Sequence, residues 1–256
     1  MFERLVKAKS SGQLLIVAAL AIAILISTTT AYVYEVSRQK PSSQQGFPVA
    51  DFILAMKQGS KNAMISALAN ASNGGERTVL TSNLNSISQA YKSLNVYGLY
   101  YLSYKVLGDS RYVDGFWFSW EDTNGLGVSS VHANFTVKFH GLTEKTTLSY
   151  AINITTAIML EGYYMSNGSE KIVNLKCQVF NEGKPALAKN LTVYYWQNGN
   201  WVPVNASNSL FILDYGNGTY AISFKVSANS DVIQVSTRVY DLRGVFVRAN
   251  LTCNKA

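Results

Sequence analysis

The sequence predicts a mainly β protein: an N-terminal transmembrane helix, a short helical pair packed on a β domain, and a C-terminal β-sandwich. Three observations carry this. One uncharged apolar stretch near the N-terminus is long enough to cross a bilayer. Hydrophobic residues recur first at helical spacing and then, after Val96, at every second position. Charged residues make up only 14% of the chain, while Tyr, Asn, Ser and Thr are abundant, a balance that suits half-buried strands better than charge-laced surface helices.

Residues 1–13 form a basic N-terminus with Arg4, Lys7 and Lys9. Residues 14–34 follow as LLIVAALAIAILISTTTAYVY, which at about 1.5 Å per residue spans a hydrocarbon core of about 30 Å. Basic flanks stay in the cytoplasm, so everything after Glu35 is expected outside, with Tyr32 and Tyr34 at the outer interface. A cleaved secretory signal is the other reading, because the strictly apolar part is short and Thr29-Thr30-Ala31 is a small-residue site. Either reading exports the body.

Lys9-Ser10-Ser11-Gly12-Gln13-Leu14 resembles the class III signal of archaeal type IV pilin-like proteins. The resemblance implies cleavage between Gly12 and Gln13, with the apolar helix retained as a filament core or membrane anchor, and hence a homo-oligomer or filament as a partner. It covers the first thirty or so residues. Many pilins carry a Glu five residues into the mature chain, and that position is Val17.

Residues 35–48 have linker composition, with PSSQQG at their centre. In 49–168 a helical pair comes first: Phe52, Ile53, Met56, Met64, Ile65 and Leu68 mark one amphipathic helix, and Val79, Leu80, Leu84, Ile87, Tyr91 and Leu94 a second. Asn73-Gly74-Gly75 makes the turn between them. Strands come next, with Val131, Ala133, Phe135, Val137 and Phe139 on one face of the first long one and His132, Asn134, Thr136 and Lys138 on the other. Leu148, Tyr150, Ile152 and Ile154 repeat the pattern.

Residues 169–256 hold seven short strand candidates, 172–181, 189–197, 201–204, 210–214, 219–226, 232–240 and 245–253. Their number, spacing and hairpin signals such as Asn217-Gly218 read as an immunoglobulin-like β-sandwich. NEGKPALAKNLTVYYW and DYGNGTYAISF also resemble the Ig-like modules of prokaryotic surface proteins. By parity Cys177 and Cys253 each fall on the apolar face of a strand and point into one core. A disulfide closing about 77 residues would add roughly 4 kcal/mol; two buried free thiols are the alternative.

N-x-S/T sequons occur at Asn70, Asn134, Asn153, Asn167, Asn190, Asn205, Asn217 and Asn250; Asn134, Asn153, Asn190 and Asn250 fall on polar strand faces and Asn167, Asn205 and Asn217 in turns. N-glycosylation of an exported body is expected. Enzymatic chemistry is not: the chain has two histidines, His132 and His140, and no GxSxG, HExxH or P-loop motif, so no cofactor or metal is expected. The net charge of +7 is scattered, which argues against a nucleic-acid partner. Aromatics supply the binding candidates: Phe116, Trp117, Phe118 and Trp120 lie in one run, Trp196 and Trp201 flank a turn, and Trp117 and Trp201 are those expected to be exposed. The functions that fit are a surface structural subunit, or a tethered module binding an envelope protein or a glycan.

Overall fold

In the computed structural model the described residues are 49–93, 99–140, 145–168, 170–228 and 231–256. The expected anchor and the Gly12–Gln13 processing site lie outside them, and among the described residues no helix is long and apolar enough to cross a membrane. The protein is mainly β, with two helices on a sheet. These are α1 (Val49–Ser72) and α2 (Val79–Ser93), joined by the expected turn, where Gly74 adopts φ +90°.

α1 buries Met56, Met64, Ala67 and Leu68, and α2 buries Leu80 and Leu84, the helical spacing that the sequence displays. Polar contacts fix the pair: the Tyr91 hydroxyl donates to the Ala55 carbonyl at 3.0 Å, and the Asn83 amide to the Ala63 carbonyl at 3.3 Å. Beneath them lie β1 (Leu99–Val106), β2 (Phe116–Ser119), β3 (Leu126–His140) and the first half of β4 (Lys145–Asn167). β1 and β2 both pair antiparallel with β3, and β3 with β4, bringing Leu102 beside Val137 and Val131 beside Ile154 on one buried face. From α2 the Ser88 hydroxyl donates to the Leu102 carbonyl at 2.6 Å, and the Tyr104 hydroxyl on β1 donates back to Asn85 on α2 at 2.8 Å.

β4 then continues into a second set of pairings. The turn at 168, expected to open a separate unit, is the hairpin between β4 and β5 (Glu170–Asn181), and β4 residues from Thr156 to Asn167 pair with β5. β4 is thus shared by the helix-covered sheet and by the C-terminal strands, and Leu54–Ala256 clusters as one compact unit. The remaining strands are β6 (Lys184–Pro185), β7 (Ala188–Gln197), β8 (Asn200–Pro203), β9 (Phe211–Asp214), β10 (Thr219–Val226), β11 (Ile233–Asp241) and β12 (Phe246–Lys255). Strand order runs β8-β7-β11-β12-β4-β5-β10-β9. The chain folds this row over on itself, because alternate residues of β5 and β10 (Val173, Leu175, Val179, Ile222, Phe224) share one core with those of β7, β11 and β12 (Val193, Val235, Val239, Val247, Ala249). Each such side chain, taken from water, contributes about 1.5–3 kcal/mol for the larger residues.

Two features lock the folded row. The β12–β4 contact is a short parallel pairing at Asn254–Tyr163 and Lys255–Tyr164. At the opposite end the start of β3 presses on β12: a Cβ on Gly127 would lie 2.1 Å from the Arg248 carbonyl oxygen, so only glycine allows that approach.

Candidate functional site

Cys177 and Cys253 lie in the same core, as parity requires, and both are free thiols in this structure. Cys177 lies opposite Leu160 of β4 and Tyr220 of β10, and Cys253 opposite Ile233 of β11, so the two enter that core from different layers of the folded row. Burial pushes both thiols up to about 12, which leaves them unreactive at neutral pH.

The sequon asparagines are mostly a surface set. Asn70, at the end of α1, Asn134 on β3, Asn153 on β4, Asn167 at the β4–β5 hairpin, Asn190 on β7, Asn205 and Asn217 are all exposed. Two of them sit in local turns of a particular kind. The Asn205 Oδ1 accepts from the backbone N–H and the hydroxyl of Ser207, at 2.9 and 2.6 Å, and the Asn217 Oδ1 accepts from the Thr219 N–H at 3.1 Å. Such Asx turns engage the oxygen with the third residue of the sequon and leave Nδ2, the atom that carries an N-linked sugar, turned away from the bond. Asn153 has a related arrangement, its oxygen accepting from the Ser130 hydroxyl at 2.9 Å.

Asn250 departs from the expectation. It is 6% exposed, and its Nδ2 donates to the Trp120 carbonyl at 2.9 Å. Alternation puts Asn250 on the face of β12 away from the sandwich core, but the segment before β3 covers that face. Trp120 packs edge-on against Phe246 with centroids 5.1 Å apart, Arg248 pairs with Glu121, and Gly125 donates its N–H to the Asn250 carbonyl at 2.8 Å. A strand with a second layer on its outer face has no room for a glycan.

Among the aromatics, Phe116 is core and stacks on Phe118 at 5.8 Å, which in turn meets Trp120 at 4.9 Å. Trp117, expected exposed, is half-buried on the other face, with the Arg111 guanidinium 4.8 Å above its ring and Tyr112 beside it. Trp201 is half-buried too. Its cross-strand partner Trp196 is the exposed one, at 41%, the two rings meeting edge to face at 5.2 Å. An open groove of about 680 Å³ runs beside Trp196, lined also by Gln197, Asn198 and Gln234. A flat ring with amides around it can stack on a sugar and hydrogen-bond its hydroxyls.

Polar groups near the aromatic run serve the fold. Asp109 accepts from the N–H groups of Tyr112 and Arg111, and those bonds hold its carboxyl below the usual range. His132 lies half-buried against Tyr112, ring centroids 5.9 Å apart. One feature that sequence reasoning missed is a groove of about 410 Å³ on the outer face of β7 and β11, where Arg238 lies 4.1 Å over the Tyr194 ring. The signal was present, since Tyr194 and Arg238 lie on the polar-face parity of their strands, but the pairing that joins them is not a sequence property. No protein-family model matches the chain, and no curated protein is significantly similar to it.

Proposed function

We propose that this chain is a membrane-anchored, glycosylated protein displayed outside the cell, a pilin-like structural subunit whose apolar segment 14–34 holds an immunoglobulin-like body at the surface. The observation that carries this is the disposition of the sequons: every acceptor asparagine but Asn250 is exposed, and Asn205 and Asn217 sit in Asx turns that leave Nδ2 available. The immunoglobulin-like assignment is supported by strand order. β4-β5-β10-β9 facing β8-β7-β11-β12 follows the ABED and CFG arrangement of such sandwiches. The cysteines do not follow the inter-sheet bridge of antibody domains, since the second lies on the last strand rather than the one before it.

The test has three readouts on protein from the native membrane. Protease added to intact cells should remove 54–256, the mature N-terminus should begin at Gln13, and glycopeptides should carry sugar at exposed sequons and none at Asn250. A body protected until cells are lysed refutes the orientation; an N-terminus after Ala31 refutes the anchor. Intact Met1 favours a second reading, a tethered binding module, which the exposed Trp196 and its amide-lined groove support.

A further inference from the structure

The sequon Asn190-Leu191-Thr192 lies within the groove on the outer face of β7 and β11 rather than on open surface. Asn190, Thr192 and Tyr194 run in a row along β7, and their β11 neighbours Tyr240, Arg238 and Ser236 run alongside, Asn190 opposite Tyr240 and Thr192 opposite Arg238. The end of α1 closes one side: Ser72 and Asn73 line the groove, the Ser72 hydroxyl accepts from the Phe246 N–H at 3.0 Å, and the Asn73 amide donates to the Gly244 carbonyl at 3.1 Å. From Asn190 to Tyr194 is about 13 Å of strand.

We propose that this groove seats the glycan attached to Asn190, whose first sugar residues lie over the outer face of β7 and β11, against Arg238 and Tyr240 and beside the end of α1, and so bind the helical pair to the sandwich. The proposal rests on the glycosylation reading above. Four features of the lining specify a sugar tethered at that point. The acceptor is exposed, and no described residue hydrogen-bonds its side-chain amide. Tyr240, and beside it the Arg238 guanidinium stacked on Tyr194, give the groove flat surfaces for the C–H face of a pyranose. Arg238 lines the groove half-buried, and its guanidinium N–H groups are donors for a sugar hydroxyl or acetamido oxygen. The lining holds no carboxylate, so the cation is free for neutral or acidic sugars, and about 410 Å³ falls within the range of small-ligand sites. Asn134, by contrast, stands on the exposed face of β3 between Lys105 and Ala151 and lines none of the grooves described.

The experiment compares full-length glycosylated protein from its native host with Asn190→Gln, Asn134→Gln, Arg238→Gln, Tyr194→Ser and the doubles that combine the last two with Asn190→Gln. Glycopeptide masses establish occupancy, and thermal unfolding reads the coupling. Loss of the Asn190 glycan should lower Tm by about 3 °C or more, the scale of 1 kcal/mol in a body of this size, while Asn134→Gln leaves it unchanged. Arg238→Gln and Tyr194→Ser should each lower Tm by more in the glycosylated chain than in Asn190→Gln, where only their contact with each other is lost. Equal effects of Asn190→Gln and Asn134→Gln, or arginine and tyrosine effects of the same size with and without the sugar, overturn the proposal and leave surface glycosylation standing. Sugar at other sequons with Asn190 bare also overturns it alone. No sugar at any sequon removes the glycosylation reading and the proposal together.

Discussion

Replacing Asp241 with alanine should destabilise the body more than any other single loss of a polar side chain. Asp241 has no exposed surface and ends β11, where its carboxylate accepts four hydrogen bonds. Oδ1 takes the N–H groups of Arg243 and Val245, both at 2.9 Å, and so shapes the β11–β12 turn. Oδ2 takes the Thr156 hydroxyl at 2.9 Å and the Arg243 Nε at 2.8 Å. Arg243 then reaches Glu182 at 2.7 Å and the Thr155 carbonyl at 3.2 Å. The carboxylate therefore joins the last hairpin to β4 and to the β5–β6 turn. Burial opposes the charge on Arg243, but its hydrogen bonds to Glu182 and Asp241 outweigh that and hold its pKa above the ordinary arginine value. Removing one partner of a buried pair costs about 3–5 kcal/mol, because the other charge and its donors are left in place. At about 2–4 °C per kcal/mol for a unit of this size, Asp241→Ala should lower Tm by about 6–20 °C. Urea unfolding of the folded body should show a lower midpoint with an unchanged slope. Arg243→Met leaves Asp241 its Thr156 and backbone donors and should cost less. A loss below about 1 kcal/mol for Asp241→Ala would refute the assignment of this carboxylate as the clasp.

Two further outcomes rest on packing. With both thiols pushed up to about 12, Cys177 and Cys253 should label with a thiol reagent at pH 8 at least about 1,000-fold more slowly in the folded protein than in denaturant. The folded pKa values exceed the unfolded ones, so this contribution to stability is complete below about pH 9 and is lost as pH rises towards 12; a Cys177→Ala, Cys253→Ala double variant should have a flatter alkaline limb. Failure to label in denaturant without reductant would mean that the two are bonded. Gly127→Ala should cost at least about 1–3 kcal/mol, because its Cβ would stand 2.1 Å from a backbone oxygen that cannot swing aside, whereas Gly108→Ala, with nothing within 4 Å, should be nearly neutral; equal stabilities in urea would contradict the close approach of β3 to β12.

Legibility in the sequence divides along the range of the interactions. Helical spacing in 49–93 and alternation in 172–253 are local, and the observed strands begin and end within two residues of those expected. Alternation assigns a side chain to one face or the other of its strand, and Cys177, Leu175 and Ala249 fall on the core face accordingly. It does not say whether the opposite face meets water or a second layer. Asn250 shows the consequence: its face is away from the sandwich core, yet Trp120 and Glu121, more than a hundred residues earlier, cover it. The same limit applies to the tryptophans, since Trp196 and Trp201 are cross-strand partners flanking one turn and alternation does not say which ring is left the more exposed. Gly127 lies inside β3, and the reason for glycine there is a carbonyl on a strand 121 positions away. For a chain of this kind a sequon or an aromatic residue is a surface feature only where tertiary layering leaves its strand face bare, and at Asn190 that layering makes a groove instead of an open surface.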